Sequence, residues 1–240
     1  SGTLGKWVHM LPANVISGGF QAKIFPVNPK GGELFGRPAY PSLSEIPEPV
    51  DLVVVTIPAA KVQDLIPEMV HKQVKAMVLV SSGFSETGPQ GSAMEKELVH
   101  KARDAGIAIL GPNTMGLCNP HAKFHCTGTV VHPIPGATAM VSQSGNMGVQ
   151  LLSYAVQQGI GMRAFCGSGN EGLLTMEDFL QAFAQDPMTK TVMLYVESIK
   201  DGRRFAKNMK RLAGKKPVIL LKGGESQAGN KAAASHTGAL

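Results

Sequence analysis

The sequence is poor in aromatic residues, 5% of 240, and holds only three cysteines, Cys118, Cys126 and Cys166. Nucleic-acid surfaces interleave basic side chains with stacking aromatics, so this scarcity argues against a nucleic-acid partner. The cysteines are odd in number and follow no disulfide-like spacing, so a reducing, cytoplasmic setting is expected. No apolar run approaches the roughly 18–20 residues that a bilayer-crossing helix needs, so no membrane span is expected. No basic segment followed by an apolar one opens the chain, and no secretory signal is read there. Charged residues make only 17%, against 43% hydrophobic residues. That balance excludes a disordered chain and allows one large or two small domains with real cores.

Glycine and proline are what the sequence does have. Twenty-eight glycines and sixteen prolines lie between short apolar runs, as tight strand-to-helix turns require. The net charge of +6 is mild. Much of the excess recurs at helical spacing in Lys200–Lys216, which reads as a solvated helix face.

The apolar periodicity alternates along the chain. Strands are expected at Ala22–Val27, Asp51–Ile57, Ala76–Val80 and Ile107–Leu110, with helices at Ala59–Val74 and Gly91–Ala105. The pattern breaks near His121–Gly136 and then resumes. Strands are expected at Ala137–Val141, Met162–Cys166, Thr191–Val196 and Pro217–Leu221, and helices at Gly145–Gln158, Thr175–Gln185 and Asp201–Ala213. Such βαβα order predicts an α/β protein of two doubly wound parallel-sheet domains, residues 1–130 and 131–240. Ser1–Gly5 reads as a phosphate-loop-like turn without the strand that normally feeds it, so the chain is expected to be part of a longer protein.

Open α/β sheets bind ligands beyond the carboxyl ends of their strands. In the first domain those loops are Ser1–Gly5, Asn28–Gly32, Ile57–Ala60, Ser81–Gly83 and Gly111–Gly116. Their glycines let the backbone approach a phosphate, and Lys30 adds a compact positive charge. Together they suggest an elongated phosphorylated ligand. In the second domain, Ser142–Asn146 precedes a helix whose free N–H groups suit a phosphate, although a serine-rich cap needs no ligand. His236 lies among small residues, where an imidazole is reachable as a nucleophile or simply exposed. Glu197 ends a strand and either orients an imidazole or caps a helix. His121, His125, Cys126 and His132 are metal-ligand types, but the paired spacing of zinc sites is absent, and no metal is expected.

Taken together, KIFPVNPKGGELFGRPAYPSLSEIP, ILGPNTMGLCNP, MVSQSGNMG, YVESIKDGRRF and AAASHTGAL resemble, in order, the segments of the NDP-forming acyl-CoA synthetase superfamily. The resemblance covers nearly the whole chain. Ser-His-Thr-Gly-Ala after a Lys-Gly-Gly strand end is its most specific part. It implies a Rossmann-like CoA-binding domain followed by a succinyl-CoA-synthetase-like, flavodoxin-like ligase domain. By matching position, CoA lies along Gly2, Thr3, Gly5, Lys30, Pro58, Ser81, Ser82 and Gly83, with its thiol end near Asn113. His236 is the phosphorylated residue and Glu197 holds its ring. Ser142, Ser144, Gly145 and Asn146 bind the phosphate.

The implied activity joins a carboxylic acid to CoA with cleavage of ATP to ADP and phosphate. ATP with Mg is expected on an ATP-grasp domain or β-type subunit outside this chain, and the assembly is expected to be oligomeric. Thr114 departs from the family's Cys or Ser after Gly-Pro-Asn, and its extra methyl is expected to narrow the acyl pocket. Two rivals stay open: the CoA-binding part of a protein lysine acetyltransferase fusion, and a non-catalytic CoA-binding regulatory module. A dehydrogenase is disfavoured, because Asn28 stands where an acidic ribose ligand is expected.

Overall fold

The computed structural model describes residues 7–224. In chain order its elements are α1 (Trp7–Ser17), β1 (Glu33–Leu34), β2 (Arg37–Pro38), β3 (Leu52–Val55), α2 (Ile66–His71), β4 (Ala76–Leu79), α3 (Pro89–Asp104) and β5 (Ala108–Leu110). There follow β6 (Gly116–Asn119), β7 (Phe124–Thr127), β8 (Pro135–Ser142), α4 (Gly145–Gln157), β9 (Met162–Gly167), α5 (Met176–Gln185), β10 (Thr191–Val196), α6 (Gly202–Ala213) and β11 (Val218–Lys222). No helix among the described residues is long and apolar enough to cross a membrane.

The first sheet is parallel, in the order β3-β4-β5. One face buries Val62, Ile66 and Met69 with Leu98, Val99 and Ala102 from α3. The α3 residues fall at i, i+1 and i+4, on one helix stripe. The other face carries Val78, Val80 and Leu110 against Leu11 and Val15 of α1 and Cys126 of β7. The second sheet has the order β11-β10-β8-β9-β6-β7. Its first four strands are parallel, and β6 and β7 add an antiparallel hairpin at one edge. Helices α5 and α6 cover one face through Leu180, Phe183, Phe205 and Leu212. On the other face Leu152 and Ala155 of α4 pack with Met140, Phe165 and Cys118.

Two expectations change. Among the described residues Ala22–Val27 forms no ladder, and its bridge is Val27 with Tyr40, fixed by bonds from Asn28 N to Tyr40 O (2.9 Å) and from Tyr40 N to Pro26 O (2.9 Å). A strand needs a neighbour along its length to satisfy its backbone, and here residue 40 alone supplies one. The helix expected over Ala59–Val74 is two 3₁₀ turns, Ala59–Lys61 and Gln63–Leu65, followed by the short α2. Pro67 lacks an N–H, so it sits in the first turn of a helix and cannot continue one begun earlier. The second sheet also takes in strands that lie before the division expected near residue 130. Gly116–Asn119 and Phe124–Thr127 precede it yet hydrogen-bond into the second sheet.

The basic segment does form an exposed helix face, with Arg203, Lys207, Lys210, Arg211 and Lys215 in solvent. Two neighbours are engaged instead. Arg204 pairs with Asp178, and the Lys216 amine donates to the carbonyl oxygens of Phe183 and Asp186.

Candidate functional site

Two clusters of loops stand at strand carboxyl ends. In the first sheet, the Ser81 hydroxyl donates to Ile57 O (2.5 Å) and Ser81 O accepts the Asn113 N–H (3.0 Å). A Cβ on Gly83 would lie 3.2 Å from Ala59 Cβ. Pro58, Ser81–Gly83 and Asn113 are therefore one cluster, built from the ends of β3, β4 and β5. Glu86 shapes it by accepting the N–H groups of Gly83 (2.5 Å) and Phe84 (3.2 Å). Lys30 is exposed and held by its own turn, where its N–H donates to Asn28 Oδ1 (3.2 Å). Gly2, Thr3 and Gly5 lie outside the described residues.

The second cluster sits where the chain reverses direction across the second sheet. From β8 the chain crosses through α4 to β9, whereas from the adjacent β10 it crosses through α6 to β11 on the opposite side. The crevice between the ends of β8 and β10 is such a switch point, the usual ligand position in open α/β sheets. Its β8 wall is Ser142–Asn146. The buried Ser142 hydroxyl donates to Ser144 O (2.6 Å), and the Ser144 side chain caps α4 by accepting Met147 N–H (3.4 Å). The N–H groups of Gly145 and Asn146, in the first turn of α4, have no preceding helical carbonyl to reach. They carry the positive end of the helix dipole.

The facing wall is Glu197–Ser198 after β10, with Gly223 after β11. The Tyr195 hydroxyl hydrogen-bonds Glu197, and burial together with that carboxylate holds the phenol above its ordinary range. Lys222 Nζ donates to Glu197 O (2.9 Å). A Cβ on Gly223 would stand 2.5 Å from Tyr195 Oη, so a side chain there makes the phenol shift, whereas Glu197 Cγ at 3.6 Å is in ordinary contact. His236 lies outside the described residues.

One loop joins the clusters. Ser168 N donates to Ser142 O (2.9 Å), Asn170 N to Pro112 O (3.0 Å) and Gly172 N to Gly111 O (2.9 Å). Gly169, at φ 62°, comes so close to the Gly111-Pro112 turn that a Cβ would be 2.3 Å from Pro112 O. The Asn170 amide, almost fully buried, accepts from Asn113 Nδ2 (3.3 Å) and donates toward Ser85 Oγ (3.2 Å), Glu86 Oε2 (2.5 Å) and Glu95 Oε2 (3.1 Å). Asn170 thus ties the second sheet to the loops of the first.

A scan of family models matches residues 1–120 to a CoA binding domain and residues 135–240 to a succinyl-CoA ligase like flavodoxin domain. The chain belongs to the NDP-forming acyl-CoA synthetase superfamily. Among members of that superfamily, it is 41% identical to the acetate–CoA ligase [ADP-forming] I subunit alpha of Pyrococcus furiosus, over 98% of this chain and 52% of that one. It is 39% identical to the acetate–CoA ligase [ADP-forming] I of Archaeoglobus fulgidus, over 92% of this chain and 32% of that one. The fold matches the dinucleotide forming acetyl-coenzyme A synthetase 1 of Ca. Korarchaeum cryptofilum, solved in complex with phosphate and ADP. That match has a TM-score of 0.92 and 36% identity, covering all of this chain and 52% of the other. The chain spans about half the length, or less, of these relatives.

Thr114 departs from expectation. The Thr114 hydroxyl donates to Gly167 O and accepts the Gly116 N–H (2.9 Å), and its methyl lies beside Gly111. Thr114 is 3% exposed, so its methyl packs in the interior and lines no open pocket wall. Of the four residues weighed as metal ligands, His125 and His132 stack at 4.4 Å, His121 Nε2 bonds Gly136 O (2.8 Å), and Cys126 is buried. Sequence reading overlooked Gln143, Asn170, Glu171 and Tyr195. For Gln143 the signal was present, because it lies inside the Ser-Gln-Ser-Gly run itself.

Proposed function

We propose that the chain supplies the CoA-binding and phosphohistidine parts of an acid–thiol ligase that cleaves ATP to ADP and phosphate. The observation that carries this reading is the crevice between β8 and β10. There the N-terminus of α4 and Glu197 stand on opposite walls, and β11, which pairs with the strand that leads into Glu197, precedes in sequence the segment that contains His236. A helix end and a carboxylate on opposite walls suit a phosphorylated imidazole. The dipole stabilises the phosphoryl charge, and the carboxylate fixes the ring's tautomer.

In this reading His236 takes a phosphoryl group as ADP leaves and passes it to an oxygen of the carboxylic acid. The acyl phosphate then loses phosphate as the CoA thiol attacks its carbonyl carbon. Splitting one uphill step into successive transfers is the gain of a covalent relay. Gly145 and Asn146 N–H groups serve the phosphoryl group. Pro58, Ser81–Gly83 and Asn113, with Gly2, Thr3, Gly5 and Lys30, serve CoA. The loop through Asn170 connects the two ends, as a transfer from histidine to a CoA-bound site needs. An ATP-grasp unit, fused or separate, holds ATP with Mg. The three unpaired thiols suit the cytoplasm.

The test is incubation of the assembled enzyme with γ-labelled ATP. An acid-labile, base-stable label on His236 is expected, together with CoA-dependent thioester formation. Label that persists in His236→Ala refutes the assignment. CoA binding without label under any nucleotide supports a regulatory module instead.

A further inference from the structure

Gln143 stands at the end of β8, 5% exposed, between the two walls of the crevice. Its backbone N–H extends the β8–β10 ladder to Tyr195 O (3.2 Å). Its side chain then crosses to the opposite loop. Oε1 accepts the N–H groups of Glu197 (2.6 Å) and Ser198 (2.9 Å), and Nε2 donates to Ser198 O (2.8 Å). The remaining amide proton serves the carboxylate of Glu171, to which Gln143 is hydrogen-bonded. A primary amide offers two acceptor sites and two donors, so every valence of this one is used.

Glu171 is itself held in place. Its Oε1 accepts from Ser168 Oγ (2.8 Å) and its Oε2 from Met176 N (3.2 Å), with the side chain 3% exposed. The amide is therefore fixed on one side by a buried carboxylate and on the other grips two consecutive peptide groups. Those groups set the direction in which the Glu197 side chain leaves the backbone.

We infer that Gln143 is a positioning residue for Glu197, clamping the 197–198 backbone so that the carboxylate is held toward the crevice, with Glu171 fixing the orientation of the clamp. This inference rests on the functional reading above. The charged and titratable groups around the clamp are Glu171, Glu177, Glu197, Tyr195 and Lys222. Asparagine carries the same amide on a side chain one methylene shorter, which withdraws it from the opposite loop. Leucine strands two buried N–H groups. Glutamate replaces one of the glutamine's two donors, and only when protonated, because the ionised form cannot donate to Ser198 O and repels Glu171.

The test uses the assembled enzyme and follows phosphoryl uptake by His236 from ATP in rapid-quench experiments, with CoA affinity measured alongside. Gln143→Leu is expected to slow uptake about 10–100-fold while leaving the CoA dissociation constant within about twofold. Gln143→Glu is expected to recover toward wild type as pH falls from about 8 to about 6, since burial and Glu171 raise its carboxyl. Amide exchange at Glu197 and Ser198 is expected to quicken in Gln143→Leu, while the amides of β8 keep their protection. Unchanged uptake overturns the inference, as does a Gln143→Glu to wild-type ratio that does not vary with pH. Parallel loss of CoA affinity and of protection across the sheet also overturns it, because that is the mark of a merely structural residue. A wild-type enzyme that takes up no label sinks the functional reading instead, and the exchange at residues 197 and 198 then still decides whether the clamp exists.

Discussion

Replacing Asn170 removes a side chain that joins the two sheets' loops through four polar contacts. Its amide has two protons for three acceptors, Glu86, Glu95 and Ser85, so two bonds are made at a time. A hydrogen bond to a charged group contributes about 1.5–3 kcal/mol when buried. Glu95 is buried and Glu86 only half-buried. Counting the first near the middle of that range and the second below it gives a loss of about 3 kcal/mol for Asn170→Ala. For a chain of this size that corresponds to a fall in Tm of about 6–12 °C. Urea unfolding of the full chain at pH 7 measures the loss directly. Glu86 also holds the N–H groups of Gly83 and Phe84, so amide exchange at those residues is expected to quicken. Asn170→Asp is expected to be worse, because it sets a third carboxylate beside two others, and its deficit shrinks as pH falls. A loss below about 0.5 kcal/mol in Asn170→Ala, within the range of an ordinary surface substitution, refutes the view that this residue latches the two sheets together.

The other expectations concern burial. His125 and His132 stack face to face, and burial holds both imidazoles below their ordinary range, for His125 with a further push from His132. The unfolded chain therefore binds more protons than the folded one near and below pH 6.5, so stability is full above that value and falls as pH drops through it. His132→Phe is expected to flatten the dependence of unfolding free energy on pH between about 7 and about 5; an unaltered slope contradicts the assignment. Burial also pushes the thiols of Cys118, Cys126 and Cys166 up to about 12. At pH 8 the buried Cys118 and Cys126 are expected to resist iodoacetamide in the folded protein and react once it is unfolded, with the half-buried Cys166 reacting ahead of them, as mass spectrometry of the alkylated chain reads.

Much of the architecture was legible in the sequence, for a physical reason. Strands such as Leu52–Val55 and Thr191–Val196 are β-branched runs between breakers, and Asp201 and Thr175 cap their helices where the pattern places them. Pro67 could have warned against a long helix over 59–74. The hairpin of β6 and β7 was not legible. Gly-Leu-Cys-Asn and Phe-His-Cys-Thr are four-residue strands of mixed polarity, with no period long enough to read. Helix α1 also escaped, since it carries Pro12 and no acidic first turn. Among site residues, strand-end loops stand out because glycine and serine cluster there. Asn170 and Glu171 do not, since their meaning comes from partners up to 85 residues away that no local pattern encodes.

The placement of that hairpin bears on how the chain is made. Residues 116–127 leave the ribosome before β8 and β9, yet among the described residues their sheet partner outside the hairpin is β9, at Leu117 with Cys166 and Cys118 with Phe165. The two strands must therefore wait, paired with each other and packed with α1 against the first sheet, until β9 has been synthesised, 40 residues beyond Thr127. A lone hairpin is marginal in water. Shelter from α1, whose Leu11 and Val15 pack in one cluster with Cys126, gives it a docking surface during that interval. Helix α1 then acts as a holding site for strands that belong to the later-made sheet, and the two sheets mature as one sequence of events rather than two.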